Sequence, residues 1–357
     1  MNDTLPDPQQ AGGRTPPRPI MLLADAEIAT TEIVRRLLVT AGYEPVVVTA
    51  ETLIGRRPFS PLVISRLTQP RLGWLPDYLQ RNGVRYIYFL DDNFFEIEAR
   101  QDRHHASYFG REGTRNTLIR FLQQAHSVWV QSPPLAAYLK QHLPSCRVRL
   151  TNAGVDTALF DAARRQVAGA STSPAPDTLR VGYPTTPRHH LAALIAGIVR
   201  VAEARMGRRI QFEFVGWWPD DVATSPIVRT FPAIARYEDY VAFAASRRWD
   251  VGLAPLGDSM FENCKTNLKF REYAALGVTG VYSDVPLYRS CVEPDLTGLL
   301  CHNDPVAWVD ALQRLLENAT LRQCIQKQSE MTVLSQYSNV SVANAVAALI
   351  AELEPGS

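Results

Sequence analysis

The sequence predicts an α/β protein built from two Rossmann-like, doubly wound halves. Short apolar runs alternate with helical segments from about residue 19 onward. The alternation stops over 163–178, where no periodic pattern is present, and it restarts at Leu179. Short apolar runs are typical of strands buried on both faces, and their alternation with helices indicates parallel sheets. Ligands of such sheets bind beyond the carboxyl ends of the strands, so we expect a site in a cleft between the halves.

The composition excludes several classes of protein. The 357 residues suffice for about two average domains, and a net charge of +1 gives no electrostatic footprint for duplex nucleic acid. The five cysteines contain no C-x-x-C pair, which indicates a reducing compartment and no zinc or redox site of that type. No apolar run reaches the roughly 18–20 residues of a membrane span, and the N-terminus has no apolar signal-peptide core. We therefore expect a cytoplasmic protein without a nucleic-acid partner.

The first half of the chain is predicted to contain six strands with helices between them. Residues 1–18 are polar and rich in Pro, Gly and Gln, which is typical of a disordered tail. We place the first domain over 19–160 and a linker over 161–178. The strands are predicted over 19–24, 45–49, 61–66, 84–90, 127–132 and 147–151, and helices over about 27–40, 114–125 and 134–142.

The second half repeats the pattern. Gly277 follows the periodic segment 265–276, and glycine is suited to end a helix because it adopts the left-handed conformation without strain. We place the second domain over 179–335 and a C-terminal helical segment over 336–357. Strands are predicted over 179–183, 210–216, 249–256 and 279–283, and helices over about 189–205, 265–276, 305–317, 320–334 and 338–353.

The predicted helix that begins at Lys265 carries the strongest candidate site. Lys265, Lys269 and Glu272 would share one of its faces. Two lysines one turn apart repel each other, and the helix dipole disfavours cations in the first turns by roughly 0.3–1 kcal/mol each. A bound anion would offset both effects, the free N–H groups of Thr266 and Asn267 would donate to a phosphate, and Glu272 could accept ribose hydroxyls. A solvated face with a Lys269–Glu272 ion pair explains the spacing equally well.

Further candidates follow the carboxyl ends of other predicted strands. Most have a structural alternative. Thr185, Thr186 and Arg188 could form a helix cap with a surface arginine, Trp217 could be a hydrophobic plug, and Tyr237 could pack in the core. The donor-side candidates are Thr185, Thr186, Arg188, Gly216, Trp217 and Tyr237.

Asp91, Asp92 and His104 are the candidates in the first half. The two aspartates end a buried strand and could bind hydroxyl groups or act as a base, although one of them could cap a helix instead. His104 lies beside a second histidine in the polar stretch after Phe94-Phe95, where a surface position is the commoner explanation.

Several segments together resemble retaining GT-B glycosyltransferases of the large family that assembles polysaccharides and lipopolysaccharides. The donor-binding region of that family is similar to 261–277, followed by 281–288 and 297–300. The resemblance covers about 20–335 in order and is strongest in the second half. Other similar segments are 132–138, 151–160, 181–186 and 214–216.

The resemblance implies a cytoplasmic enzyme that moves a sugar from a nucleotide diphosphate sugar to a glycan or a lipid-linked glycan. It implies retention of anomeric configuration without a cofactor or metal, with Lys265, Lys269 and the helix N-terminus offsetting the charge of the leaving diphosphate. The first half would supply the acceptor side, including Asp91, Asp92 and His104, and the last helix would pack back on it. A peripheral contact with the inner face of the membrane stays open.

One position departs from the family pattern. The family often has two glutamates eight positions apart; the second matches Glu272, but Cys264 stands at the first, and Glu262 is out of register. The variant resembles that of some polysaccharide-assembly branches, which implies that the chain is compatible with activity. Loss of transfer is the other outcome, which leaves a non-catalytic protein that binds a nucleotide or a sugar as an alternative. A nucleotide-sugar epimerase is a second alternative, without a convincing acid–base pair.

Overall fold

Two six-stranded parallel sheets, each surrounded by helices, form the protein. The computed structural model describes residues 16–26, 28–49, 59, 61–168 and 178–354, so most of the predicted tail and the part of the predicted linker over 169–177 lie outside the described residues. The strand order is β2-β1-β3-β4-β5-β6 in the first sheet and β12-β11-β10-β7-β8-β9 in the second. The predicted α/β class with two doubly wound halves is confirmed.

The first sheet has an apolar layer on each face. Tyr86, Tyr88 and Leu90 of β4 pack in one core with helix α4, whereas Ile87 and Phe89 pack in the core on the opposite face. Because both faces are covered, these strands read as continuous apolar runs. The elements are β1 Arg18–Ala24, α1 Ala29–Thr40, β2 Tyr43–Thr49, β3 Leu62–Ser65, α2 Leu75–Arg81, β4 Tyr86–Leu90, α3 Arg103–Phe109, α4 Glu112–Gln124, β5 Ser127–Val130, α5 Pro133–His142 and β6 Val148–Leu150.

The second sheet follows helix α6, Thr157–Ala168. This helix occupies the start of the predicted linker, because alanine and arginine favour helix and because Phe160 and Ala163 are buried on one of its faces. The remaining elements are β7 Leu179–Pro184, α7 Ala192–Met206, β8 Ile210–Val215, β9 Val228–Phe231, α8 Tyr237–Arg247, β10 Val251–Ala254, α9 Met260–Asn263, α10 Leu268–Leu276, β11 Thr279–Ser283, α11 Pro286–Arg289, β12 Leu299–Cys301, α12 Pro305–Glu317, α13 Ala319–Gln336 and α14 Asn339–Ala351.

The chain crosses between the two halves twice, at neighbouring places. Val155 follows the first sheet and Ser338 precedes α14, and the two form a parallel β-bridge. The Val155 N–H donates to the Tyr337 carbonyl at 2.8 Å, and the Asn339 N–H donates to the Val155 carbonyl at 2.8 Å. A Cβ on Gly154 would clash with the Asn339 side chain, so glycine lets the crossings approach this closely.

Helix α14 returns the chain to the first sheet. Its side chains Val342, Val346 and Leu349 lie in the same core as Ile20 and Leu22 of β1. None of the helices in the described ranges has the length and apolar character that crossing a bilayer requires.

Candidate functional site

A cavity of about 220 Å³ lies where the carboxyl ends of strands from both sheets face each other. Both sheets reverse their strand order at this place, β1 beside β3 in the first and β7 beside β10 in the second, which is where such sheets bind ligands. The predicted site residues that line it are Asp91, Asp92, Thr185, Arg188, Lys265, Thr266 and Lys269.

An ion pair joins the halves across this cavity. The Lys265 ammonium donates to Asp92 Oδ1 at 2.9 Å, and Lys265 also lies 4.0 Å from the centre of the Phe261 ring. Burial alone would raise the pKa of Asp92, but the charges of Lys265 and Arg66 lower it below its usual value. Burial lowers the pKa of Lys265. The carboxylate of Asp92, in the first half, is therefore paired with the ammonium group of Lys265, in the second half.

Asp91 is held differently from its neighbour. Its Oδ2 accepts hydrogen bonds from Arg66 at 3.0 Å and from the Thr30 hydroxyl at 3.2 Å. Its Oδ1 is buried and has no hydrogen-bond partner within the described ranges. Burial raises the pKa of Asp91, although the Arg66 guanidinium opposes the change. Arg66 was not predicted as a site residue; it directly follows β3 and has a left-handed backbone with a φ of 58°.

The prediction of one helix from residue 265 is wrong. The short helix α9 ends before Cys264, and α10 begins only at Leu268, with Asn267 as its N-cap. The Asn267 side chain accepts from Arg271 Nε at 2.9 Å. Lys265 and Thr266 thus lie in the turn before α10. The free N–H groups are those of its first residues, of which Leu268 and Lys269 line the cavity.

Glu272 is buried and bonded within the second half. Its Oε2 accepts from Lys269 Nζ at 2.9 Å and from the Tyr240 hydroxyl at 3.2 Å. The expected ion pair with Lys269 is therefore present, but Glu272 is only 1% exposed, so the alternative of a solvated face is wrong for this residue.

The loop after β7 contributes the second cation. Thr185 and Arg188 line the cavity, and Arg188 makes no ion pair with another described residue. Thr186 is exposed, and its carbonyl accepts the Thr185 hydroxyl at 2.9 Å. Gly216 packs directly against this loop. Its φ is 91°, and a Cβ at this position would lie 2.5 Å from the Thr185 carbonyl oxygen.

Three predicted residues lie apart from this cavity. Trp217 packs against the core of the second sheet, edge-on to His189 at 5.4 Å. Tyr237 is buried and lines a cavity of about 520 Å³ between α8 and Ile28 near the start of α1. His104 is exposed and lines a cavity of about 340 Å³ in the first half.

Glu262 lies where the two halves meet, a position that sequence reasoning did not predict. It is 2% exposed, and its carboxylate accepts from His190 Nε2 at 2.8 Å and from the Gly257 N–H at 2.9 Å. Gln101 of the first half donates to it at 3.0 Å. Burial alone would raise its pKa, but the hydrogen bonds from His190 and Gly257 lower the pKa to about 2.

Cys264 does not face the cavity. It is completely buried in the core of the first sheet, where Asn93 Nδ2 lies 3.5 Å from its sulfur. Across the residues for which positions are given, no group of three or more His, Cys, Asp or Glu side chains is arranged to hold a metal ion.

The architecture is shared with solved glycosyltransferase structures. Sucrose-phosphate synthase from Thermosynechococcus elongatus matches with a TM-score of 0.69 at 20% identity, over 95% of this chain and 100% of that chain. HepE from Anabaena in complex with UDP-glucose matches with a TM-score of 0.63 at 12% identity, over 94% and 99%. A glycosyltransferase from Rickettsia africae matches with a TM-score of 0.61 at 12% identity, over 96% and 100%.

Sequence comparison gives no further relatives, since no family model and no curated protein sequence matches this chain. At these identities, the structural likeness concerns the fold. The chain therefore has the GT-B fold, in which two Rossmann-like domains face a central cleft.

Proposed function

We propose that the protein is a glycosyltransferase that moves a sugar from a nucleotide diphosphate sugar to a hydroxyl group of a glycan or lipid-linked glycan. The observation that carries the proposal is the pair of cations, Lys265 and Arg188, beside the N-terminus of α10 at the switch points of both sheets. Cations and free N–H groups together suit a diphosphate. The likeness to HepE, solved with UDP-glucose, supports a UDP-sugar as the donor.

The chemical task is to expel a nucleoside diphosphate from an anomeric carbon. The leaving group gains negative charge as the bond breaks, and Lys265 and Arg188 are placed to stabilise it. In this arrangement Lys265 exchanges Asp92 for a phosphate oxygen, whereas Lys269 acts mainly through its ion pair with Glu272. In this proposal no metal or cofactor is needed, because Lys265 and Arg188 offset the charge of the leaving diphosphate.

The finer assignments belong to the same proposal. The sugar is a hexose transferred with retention, the first half binds the acceptor on the side of Asp91 and His104, and the product is a cell-surface polysaccharide or lipopolysaccharide. The enzyme works in the cytoplasm and meets lipid-linked acceptors at the inner face of the membrane. The sequence motifs at 261–277 and 281–288 support these points.

A protein that binds a nucleotide sugar without transferring it is the second candidate. The position of the first family glutamate holds Cys264, which is buried against the first half, and the four donors around Glu262 leave it no role as a base. Under this candidate the donor binds but releases no diphosphate.

Binding and turnover together test the proposal. The rise in melting temperature caused by UDP, GDP and dTDP would be measured for the wild type, for Lys265→Ala and for Lys327→Ala, an exposed lysine of α13. A nucleotide at 100-fold its Kd stabilises a protein by about 2.7 kcal/mol. We expect this gain for one nucleotide in the wild type and in Lys327→Ala, and its loss in Lys265→Ala.

Turnover separates the two candidates. Release of UDP from UDP-glucose in the presence of sugar acceptors supports the transferase, and affinity without release supports the binding protein. If none of the three nucleotides stabilises the wild type, both candidates fail.

A further inference from the structure

The first half has a cavity of its own, of about 340 Å³, beside the cavity that contains Lys265. In this first-half cavity, Asp25 follows β1, and Thr68 and Gln69 follow β3. Tyr108 lines it from α3. The cavity therefore lies at the carboxyl ends of β1 and β3, where ligands of a parallel sheet bind. Pockets for small molecules begin at about 300 Å³, so it has room for one sugar unit.

The first-half cavity is open to solvent and adjoins the cavity of Lys265. Arg66 lines both cavities, so a molecule in one lies next to a molecule in the other. His104 and His105 line the first-half cavity and are exposed, although the ion pair between Lys265 and Asp92 joins the two halves. An acceptor can therefore reach the first-half cavity while the halves are in contact.

The polar side chains of the first-half cavity suit hydroxyl groups, which both donate and accept hydrogen bonds. The Gln69 amide donates to Asp25 Oδ1, so these two side chains orient each other. The Thr68 and Tyr108 hydroxyl oxygens lie 3.4 Å apart. Carboxylate, amide and hydroxyl groups together supply both donors and acceptors. A ring that carries several hydroxyl groups needs such a mixture.

Aromatic rings form the α3 side of the first-half cavity. The Phe109 ring lines it and stacks on the Phe94 ring, with ring centres 4.2 Å apart and planes 1° apart. The Tyr108 ring meets Phe109 edge-on, with centres 5.1 Å apart. Aromatic side chains present a large, rigid apolar surface. Such a surface suits the C–H face of a sugar ring, whose hydroxyl groups point outward from the ring.

The charges around the first-half cavity disfavour an anion. Arg66 is paired with Asp91 at 3.0 Å, and His105 Nδ1 lies 2.5 Å from Asp102 Oδ2. Asp25 adds a further carboxylate to the lining. Among the described residues, no lysine and no second arginine lines this cavity. A phosphate bound here would meet the carboxylate of Asp25 without a lysine or unpaired arginine to offset its charge.

We propose that the first-half cavity binds the acceptor through an uncharged sugar unit, and that Asp25 selects against phosphorylated sugars. This inference rests on the proposed transferase function and names the chemical class of its acceptor. Gln69, Thr68 and Tyr108 bond hydroxyl groups of the unit, and the Phe109 ring packs against its C–H face. The phosphate groups of a lipid-linked acceptor then lie outside this cavity.

The experiment measures the binding of four neutral sugars and of their 6-phosphates to the full chain by NMR titration, without a donor. The neutral probes are D-glucose, D-galactose, D-mannose and N-acetyl-D-glucosamine. We expect the wild type to bind at least one of them about tenfold or more tightly than its 6-phosphate, because like charges repel. In Asp25→Asn this preference should shrink by about tenfold, since the repelling charge is removed.

A second variant separates hydrogen bonding from charge. Tyr108→Phe removes one hydroxyl group and no charge. We expect it to weaken the binding of the neutral sugar by up to about tenfold and to leave the preference over the 6-phosphate unchanged. The control is Asp310→Asn, at an exposed aspartate of α12 that is bonded to Arg205, and it should match the wild type in both respects.

Four results would overturn the inference. The first is that none of the four neutral sugars binds, and the second is that the 6-phosphates bind equally or more tightly. The third is an unchanged preference in Asp25→Asn, and the fourth is neutral-sugar binding that Tyr108→Phe does not weaken. The proposed function fails separately, because it requires a nucleotide. A protein that binds these sugars but none of UDP, GDP and dTDP keeps its sugar site and is not a transferase.

Discussion

Glu213 and Glu262 of the second half are both almost completely buried, but their surroundings differ. Glu213, on β8, is bonded by Arg247 through Nε at 2.8 Å and a terminal nitrogen at 2.6 Å, and by Trp249 Nε1 at 2.8 Å. Its partners all belong to the second half. Glu262 is bonded by His190 of the same half, by the loop in which it lies, and by Gln101 of the first half.

The difference shows how the same residue type stabilises a domain in one place and a site in another. Glu213 compensates permanent guanidinium charges, including Arg180 at 3.4 Å, so its loss leaves cations without a partner. Glu262 has no guanidinium among the donors that hold its carboxylate, and it ties the loop before Lys265 to the opposite half. We therefore expect substitutions at Glu213 to change global stability and substitutions around Glu262 to change the cleft.

The largest expected effect is that of Glu213→Ala. Breaking a buried pair by removing one partner costs about 3–5 kcal/mol, because the other charge stays uncompensated. Urea unfolding should show a loss of that size, with unchanged UDP affinity in the fraction that remains folded. A loss smaller than that of an exposed pair, about 1 kcal/mol, would contradict the comparison.

The second largest effect is expected from Glu262, in the pH dependence of the unfolding free energy. Its pKa falls from the usual 4.5 to about 2, which corresponds to roughly 3 kcal/mol. A carboxyl whose pKa is lowered by folding contributes this stability fully above pH 4.5 and loses it as the pH falls through about 2. The difference in unfolding free energy between the wild type and Glu262→Gln should therefore shrink over that window. Glu317→Gln, at an exposed position on α12, serves as the control and should show no such window.

The smallest expected effect is that of Gln101→Ala. Gln101 is 3% exposed and bonds Glu262 and Ser259 across the cleft, but the carboxylate keeps its other donors. We expect a loss of about 1 kcal/mol in unfolding free energy. If the bond couples the halves, faster hydrogen exchange should appear in the loop over 257–264 and not in β8. Equally faster hydrogen exchange in the loop and in β8 would indicate that Gln101 stabilises the whole domain and not the contact between the halves.

Ten of the twelve strands in the described residues were predicted from the sequence, since runs such as Tyr86–Leu90 are apolar throughout and bounded by charged residues. The strands β9 and β12, at the two edges of the second sheet, were not predicted, because they are only four and three residues long and β9 is half polar. Helix α6 was assigned to a linker because its apolar positions are few. The break between α9 and α10 leaves the periodic pattern over 265–276 unchanged, so the pattern alone does not reveal it.

The site was only partly predictable for a related reason. Charged residues at strand ends are visible in the sequence, but Asp92 and Lys265 are 173 positions apart, and nothing local indicates that they touch. The position of Glu262 had a signal, because Ser259 and Glu262 have the spacing of a helix-capping box. Arg66 had none, since an arginine gives no indication of a left-handed backbone.

The paired crossings at Val155 and Ser338 have a mechanical consequence. Two domains joined by one flexible segment can rotate in any direction. Two adjacent connections that are hydrogen-bonded to each other restrict that freedom and act as a hinge. The halves then have one axis of rotation, which passes through the bridge. We therefore expect an opening of the cleft to turn about this bridge, to separate Lys265 from Asp92, and to bring them together again on closure.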